Sequence, residues 1–351
     1  MSKNSTRRKE ESGTPTGPVA PSLAPTLGIW VLIGILLIGI LTTYSRLPLS
    51  ELYNVSRIGL EGGLSRALVF LNYPVAFLAI PLIVLAVARL LWSNSVRTSM
   101  HRGVVLSVAA LALGLSLVAA IPGVVDQHDL DARWVNAVPA VGVLLAIGLT
   151  IVAIRVAGSG RSTGWSMLDN VRVGVTTVAA VLSLPWIFAN LGVYIGDIPG
   201  LGAVFMSRQI PEWETTVAVH LGDHHGMNGI TFLVAGLWLS RELTRFVSLA
   251  ARVALASYLS LMMVYGTFIA AQDFWLEQFV KRGWVTIEIP HAVVPALTPV
   301  WGVIVVTTAV LAALLVRGTS PSRSIEQDKV RAEDAREPEE MAEGLTRKEP
   351  G

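Results

Sequence analysis

Eight stretches of this chain are too long and too apolar to remain in water. They lie at about residues 27–44, 68–91, 104–125, 135–154, 171–195, 216–240, 253–272 and 293–316. A helix of ~20 mainly apolar residues crosses a bilayer. Within hydrocarbon, only helices and closed barrels satisfy every backbone N–H and C=O. Runs of this length predict an all-α fold: a polytopic integral membrane helix bundle of about eight transmembrane helices. The first run exceeds the ~7–15 apolar residues of a secretory signal and ends in Thr-Thr-Tyr-Ser-Arg, without a small-residue cleavage site, so it reads as a retained helix.

Composition agrees. Of 351 residues, 52% are hydrophobic and 15% charged, well below the ~25% charged of soluble domains. The chain has no cysteine, which excludes disulfides, thiolate metal sites, iron–sulfur clusters and a cysteine nucleophile. A net charge of +2 gives no electrostatic footprint for nucleic acid.

The ends differ from the middle. Residues 1–25 are polar and rich in Pro, Ser and Thr, and predict a disordered cytoplasmic N-terminal tail. Residues 26–317 form the transmembrane helical domain. Residues 318–351 carry nine acids and six bases and predict a charged cytoplasmic C-terminal tail, with a cytoplasmic protein partner as its use. Eight crossings put both termini on one side. With that side inside, the inner loops and helix ends hold Arg89, Arg97, Arg102, Arg155, Arg161, Arg172, Arg241, Arg245, Arg252 and Arg317, against Asp169 and Glu242. The outer loops hold seven bases against eleven acids. The positive-inside rule selects this orientation, in the plasma membrane. Pro74, Pro81, Pro185, Pro295 and Pro299 predict kinked spans. The polar stretch 46–66, with Leu52, Val55, Ile58, Leu60 and Leu64, predicts an interfacial helix on the outer surface.

Chemistry points to histidine. In this orientation only His101 faces inward. His128, His220, His224, His225 and His291 all face outward. The segment 217–229, VAVHLGDHHGMNG, places four ionisable residues inside a span, where such groups are costly and usually functional. In a helix begun near Thr216, His220, Asp223 and His224 share one face, and imidazoles at i and i+4 can reach one metal ion. If instead Gly222, Gly226 and Gly229 break that helix, the span shrinks to 226–240 and the histidines sit on irregular backbone lining a cavity.

The expected metal ligands are His220 and His224, with His291 third. Asp273 and His128 are lesser candidates. Asp223 is the candidate catalytic group, as proton acceptor, as orienter of an imidazole or as a further ligand. Other carboxylates at the same level are Asp126, Asp129, Asp131, Asp197, Glu277 and Glu288. An imidazole and carboxylate set suits zinc, iron, manganese or copper. The function expected is a metal-dependent enzyme acting on a lipid-soluble or envelope substrate. Two alternatives stand beside it. One is a transporter-like bundle whose outer mouth collects cations or protons. The other is a haem-binding or non-catalytic membrane subunit, haem requiring axial histidines on facing helices. Interfacial histidines paired with the acidic loops would account for the same residues without any bound group.

Overall fold

The computed structural model describes residues 20–53, 55–93, 99–125, 130–160, 164–199, 202–210 and 217–319. Most of the two expected tails, and His128, lie outside them. Ten α-helices carry the described chain: α1 (Ala24–Arg46), α2 (Gly59–Phe70), α3 (Ala76–Trp92), α4 (Ser99–Leu117), α5 (Ala137–Ala157), α6 (Met167–Leu182), α7 (Leu184–Leu191), α8 (His225–Leu239), α9 (Leu249–Trp275) and α10 (Pro299–Gly318). Two short antiparallel strands, β1 (Ile195–Ile198) and β2 (Gly202–Val204), form one hairpin.

Among the described residues, six helical segments are long and apolar enough to cross a membrane: Ala24–Arg46, Gly59–Trp92, Met100–Ala120, Trp134–Ala157, Leu249–Val280 and Pro299–Gly318. The pair α6–α7, bent by 56°, passes the same test only when its two helices are taken together as one span. Pro185 stands in the first turn of α7, where its missing N–H and fixed φ start a new helix and end the old one. The sixth expected span, 216–240, holds only α8. Its 15 residues reach about 23 Å at 1.5 Å per residue, short of a ~30 Å hydrocarbon core.

Three other expectations change. Residues 46–66 are not an interfacial helix. A 3₁₀ turn (Leu49–Glu51) and an extended stretch lead into α2, whose Gly62, Gly63, Ser65 and Arg66 are buried. The helix therefore starts well before residue 68, and its mixed polarity reflects one packed face. The N-terminal tail gives way earlier than residue 25. Ser22 N–H donates to Glu242 Oε2 at 2.7 Å, and Leu23 N–H to Ser159 O at 2.8 Å. Pro295 lies ahead of the last helix, which Pro299 opens at its first turn.

α2 and α3 join through a one-turn kink (Leu71–Val75) around Pro74. Asn72 and Asn136 knit it to the start of α5. Asn72 Nδ2 donates to Asn136 O at 2.8 Å, and Asn136 Nδ2 to Asn72 Oδ1 at 3.1 Å. α3 packs between α4, α5 and the α8–α9 pair, while α10 packs mainly on α9. α8 and α9 lie closest together, at Gly229 and Gly266. A Cβ on either glycine would run into the other's carbonyl oxygen, the close approach that small residues permit between membrane helices.

The helix ends sort into two rims. At one, Arg89 reaches Gly158 O, Arg172 reaches Leu237 O, Arg245 reaches Ala20 O and Arg252 reaches Thr319 O. The opposite rim gathers the end of α1, the starts of α2 and α5, residues 217–226 and the end of α9.

Candidate metal centre

The 217–224 segment decides the site, and it is not helical. His224 has extended dihedrals (φ −125°, ψ 148°) and stands just ahead of α8. The alternative of a helix broken at the glycines is the one observed. Gly222 sits at φ +113°, and a Cβ there would strike the Tyr44 hydroxyl. Only glycine serves both demands. Every residue from 217 to 224 is buried, yet the backbone finds partners: Ala218 N–H with Gln209 O (2.8 Å), Leu221 N–H with Glu51 O (3.0 Å), Gly222 N–H with Ala189 O (2.9 Å) and Asp223 N–H with Tyr44 Oη (3.1 Å). Irregular backbone is tolerated at such depth when protein satisfies it.

The expected common helical face therefore does not exist, but His220 and His224 still meet. Their rings stack with centroids 4.3 Å apart and planes 9° apart, and Tyr53 stacks on the far side of His220 at 5.0 Å. The third member is Glu277. One ligand atom from each of His220, His224 and Glu277 lies within 4.8 Å of the other two, and all three residues are buried. Bonds of ~2.0–2.1 Å to a tetrahedral ion hold ligand atoms closer than this, so binding draws the three together.

Hydrogen bonds prepare each donor. His220 Nδ1 lies 3.0 Å from Leu221 O, and His224 Nε2 lies 3.1 Å from His220 O. A carbonyl only accepts, so each of those nitrogens carries the proton in the neutral ring. His220 Nε2 and His224 Nδ1 keep open lone pairs, the arrangement that metal-bound histidines use. Burial, with His224 as the second cause, holds the His220 imidazole well below its ordinary pKa and keeps it neutral. Glu277 Oε1 accepts from Lys281 Nζ at 2.6 Å, while its buried Oε2 has no hydrogen-bond partner. The set is two neutral imidazoles and one carboxylate oxygen, the His₂Glu combination of hydrolytic zinc sites.

The other expected residues are placed differently. Asp223 turns away from the cluster and pairs with Arg66 (Nη2–Oδ2 3.1 Å), both side chains buried. Its neighbour His224 faces the other way, because successive residues of extended backbone point to opposite sides. Asp273 accepts from Gly226 N–H at 2.7 Å and lies 3.8 Å from His224 Nδ1, beside the group rather than in it. His291 lies outside this group of three. Its Nδ1 sits 2.9 Å from Gln272 Nε2.

Glu277 was visible only as one of several rim carboxylates. It joins the site because the helical path continues past residue 272, through α9 and one further turn (Leu276–Val280). Asp273, Glu277 and Lys281 fall at steps of four, and that spacing is the signal that would have flagged them.

Comparisons with protein families, curated proteins and solved structures find no match to this chain.

Proposed function

We propose that this is a multi-pass plasma-membrane metalloenzyme. Its metal is held by His220, His224 and Glu277, and its substrate is a lipid-soluble or envelope molecule approached from the outer rim. The observation that carries this reading is the donor set. Two backbone carbonyls fix both histidine tautomers, and Glu277 keeps one buried oxygen unpartnered. Three protein ligands leave a fourth position on zinc, and a metal in such a site supplies a Lewis acid and a water of lowered pKa. This chain's part is to hold the ion and to guard its approach. Tyr53 covers His220, and Lys281, whose side chain is 31% exposed, lies over the Tyr53 ring at 5.7 Å. The arginine-rich rim faces the cytoplasm in this reading, with both chain ends on that side and residues 318–351 free to meet a cytoplasmic protein.

Protein purified without chelators should carry about one transition-metal ion per chain by elemental analysis, as three-ligand sites do. The His220→Ala/His224→Ala pair should carry none. A wild-type protein that holds no ion, and whose melting temperature ignores both added zinc and a chelator, would overturn the reading.

One observation favours a second role for the same ion. Two ligands come from the irregular 217–224 segment and one from the end of α9, so the ion would also clip that segment to the bundle. Cobalt-substituted protein separates the two roles. Acetohydroxamate should alter the visible spectrum of an open catalytic site and leave a closed structural one unchanged.

A further inference from the structure

Behind the 223–225 backbone, on the side away from the cation group, lies a cavity of about 400 Å³. None of His220, His224 or Glu277 lines it. Its wall runs along α2–α3 from Arg66 to Ile80 and is completed by α8, α9, the end of α4 and Trp301.

Most of the wall is apolar, and most of its polar groups are already paired. Tyr73 and Tyr265 share a hydroxyl–hydroxyl bond of 3.0 Å. Tyr265 also donates to Val293 O, Tyr258 to Phe77 O and Trp301 Nε1 to Val294 O, at 2.6, 2.9 and 2.9 Å. One end differs. Arg66, Asp223, His225 and Asn228 all line it. Arg66 Nε and Nη1, Asp223 Oδ1, His225 Nδ1 and Asn228 Oδ1 are buried there without a hydrogen-bond partner. Arg66, Asp223 and Asn228 are 6%, 5% and 2% exposed. Native interiors leave only a few such groups unmet per hundred residues. Here five atoms of four residues gather, donors beside acceptors, at one end of an apolar cavity.

Charge narrows the guest. Arg66 and Asp223 neutralise each other through a single contact, Nη2 to Oδ2. An anionic head would meet the Asp223 carboxylate, and a cationic head would meet Arg66. What fits is a neutral group that accepts from the guanidinium and donates to a carboxylate or amide oxygen, which a hydroxyl does. We propose that the cavity binds a neutral single-chain lipid alcohol, its hydroxyl between Arg66 and Asp223 and its chain along α3 and α9. This inference does not depend on a metal at the cation group.

The test uses the full chain in mild detergent with radiolabelled cetyl alcohol, palmitate and cetyltrimethylammonium. Wild type should bind the alcohol saturably, at about one per chain, and at least about tenfold tighter than either charged analogue, since like charges at a buried site are strongly disfavoured. Ile80→Trp fills the apolar end and should abolish alcohol binding with the melting temperature kept. Asp223→Asn leaves Arg66 unopposed and should reverse the order in favour of palmitate. Alcohol binding that fails to saturate, palmitate bound by wild type as tightly as alcohol, or binding untouched by a folded Ile80→Trp protein would each overturn the proposal. Should Asp223→Asn fail to fold, the wild-type head-group comparison and Ile80→Trp decide alone.

Discussion

Two carbonyl oxygens, Leu221 O and His220 O, determine which nitrogens of the candidate centre are free to bind. A third contact orients the carboxylate. Lys281 Nζ holds Glu277 Oε1 at 2.6 Å and leaves Oε2 for an ion. Removing the ammonium frees Glu277 to rotate and exposes its charge to Asp273, one turn away. Groups one step removed from a metal usually contribute 10- to 100-fold in affinity. Lys281→Met should therefore weaken zinc binding by about 10- to 100-fold while leaving a site, read by competition against a chromophoric chelator. Lys281→Arg should restore most of the loss, because a guanidinium can still donate to Oε1. If Lys281→Met abolishes binding and Lys281→Arg does not rescue it, the lysine is holding up the fold rather than tuning the ligand.

At the scale of helices and loops, periodic features were legible in the sequence and non-periodic ones were not. The six long apolar helices follow directly from hydropathy, and Pro74 and Pro185 mark real breaks. The His220–His224 pair was also legible, though for a reason that does not hold. An i, i+4 pair predicts proximity on a helix, and here extended backbone turning at Gly222 brings the rings together instead. Neither Glu277, one rim carboxylate among several, nor Arg66 stood out, because both sit where a helix runs past the end of its apolar run. A hydropathy window closes there, although the backbone bonds continue. The α8–α9 contact carries its own prediction. Gly229 and Gly266 face each other with no room for a Cβ, so Gly229→Val must push the helices apart. Overpacking of this kind costs about 1–3 kcal/mol. It should lower the unfolding midpoint in a denaturing-detergent titration, and Gly266→Ala should do so by a smaller amount. The same separation moves α9 away from residues 217–224, so the metal affinity of Gly229→Val should fall along with stability. A variant as stable as wild type would mean that the two helices are not packed in this way.

For the whole molecule, the question is which rim meets the cytoplasm. The contacts at the arginine rim join residues far apart in sequence: Ala20 with Arg245, Ser22 with Glu242, Leu23 with Ser159 and Arg252 with Thr319. The chain therefore begins α1 and ends α10 beside the same α8–α9 turn. Two paths between the rims are short of a straight span, the bent α6–α7 pair and α8. Arg172 at the start of α6 reaches Leu237 near the end of α8, so these two paths leave from and return to the arginine rim. The proposed reading needs an even number of crossings, and the bias of Lys and Arg puts that rim on the inside in it. The lack of any native cysteine makes the assignment simple to test with single-cysteine variants and a membrane-impermeant maleimide. Ile58→Cys and Ile287→Cys, both exposed at the far rim, should label on intact cells. Ser159→Cys and Val247→Cys, exposed at the arginine rim, should label only after permeabilisation. The opposite pattern would put the candidate centre in contact with the cytosol and remove the reason to seek its substrate in the envelope. A split, with Ser159 and Val247 on different sides, would mean that α6, α7 and α8 do not cross as a pair of paths. The position of residues 217–224 at the outer rim would then have to be abandoned.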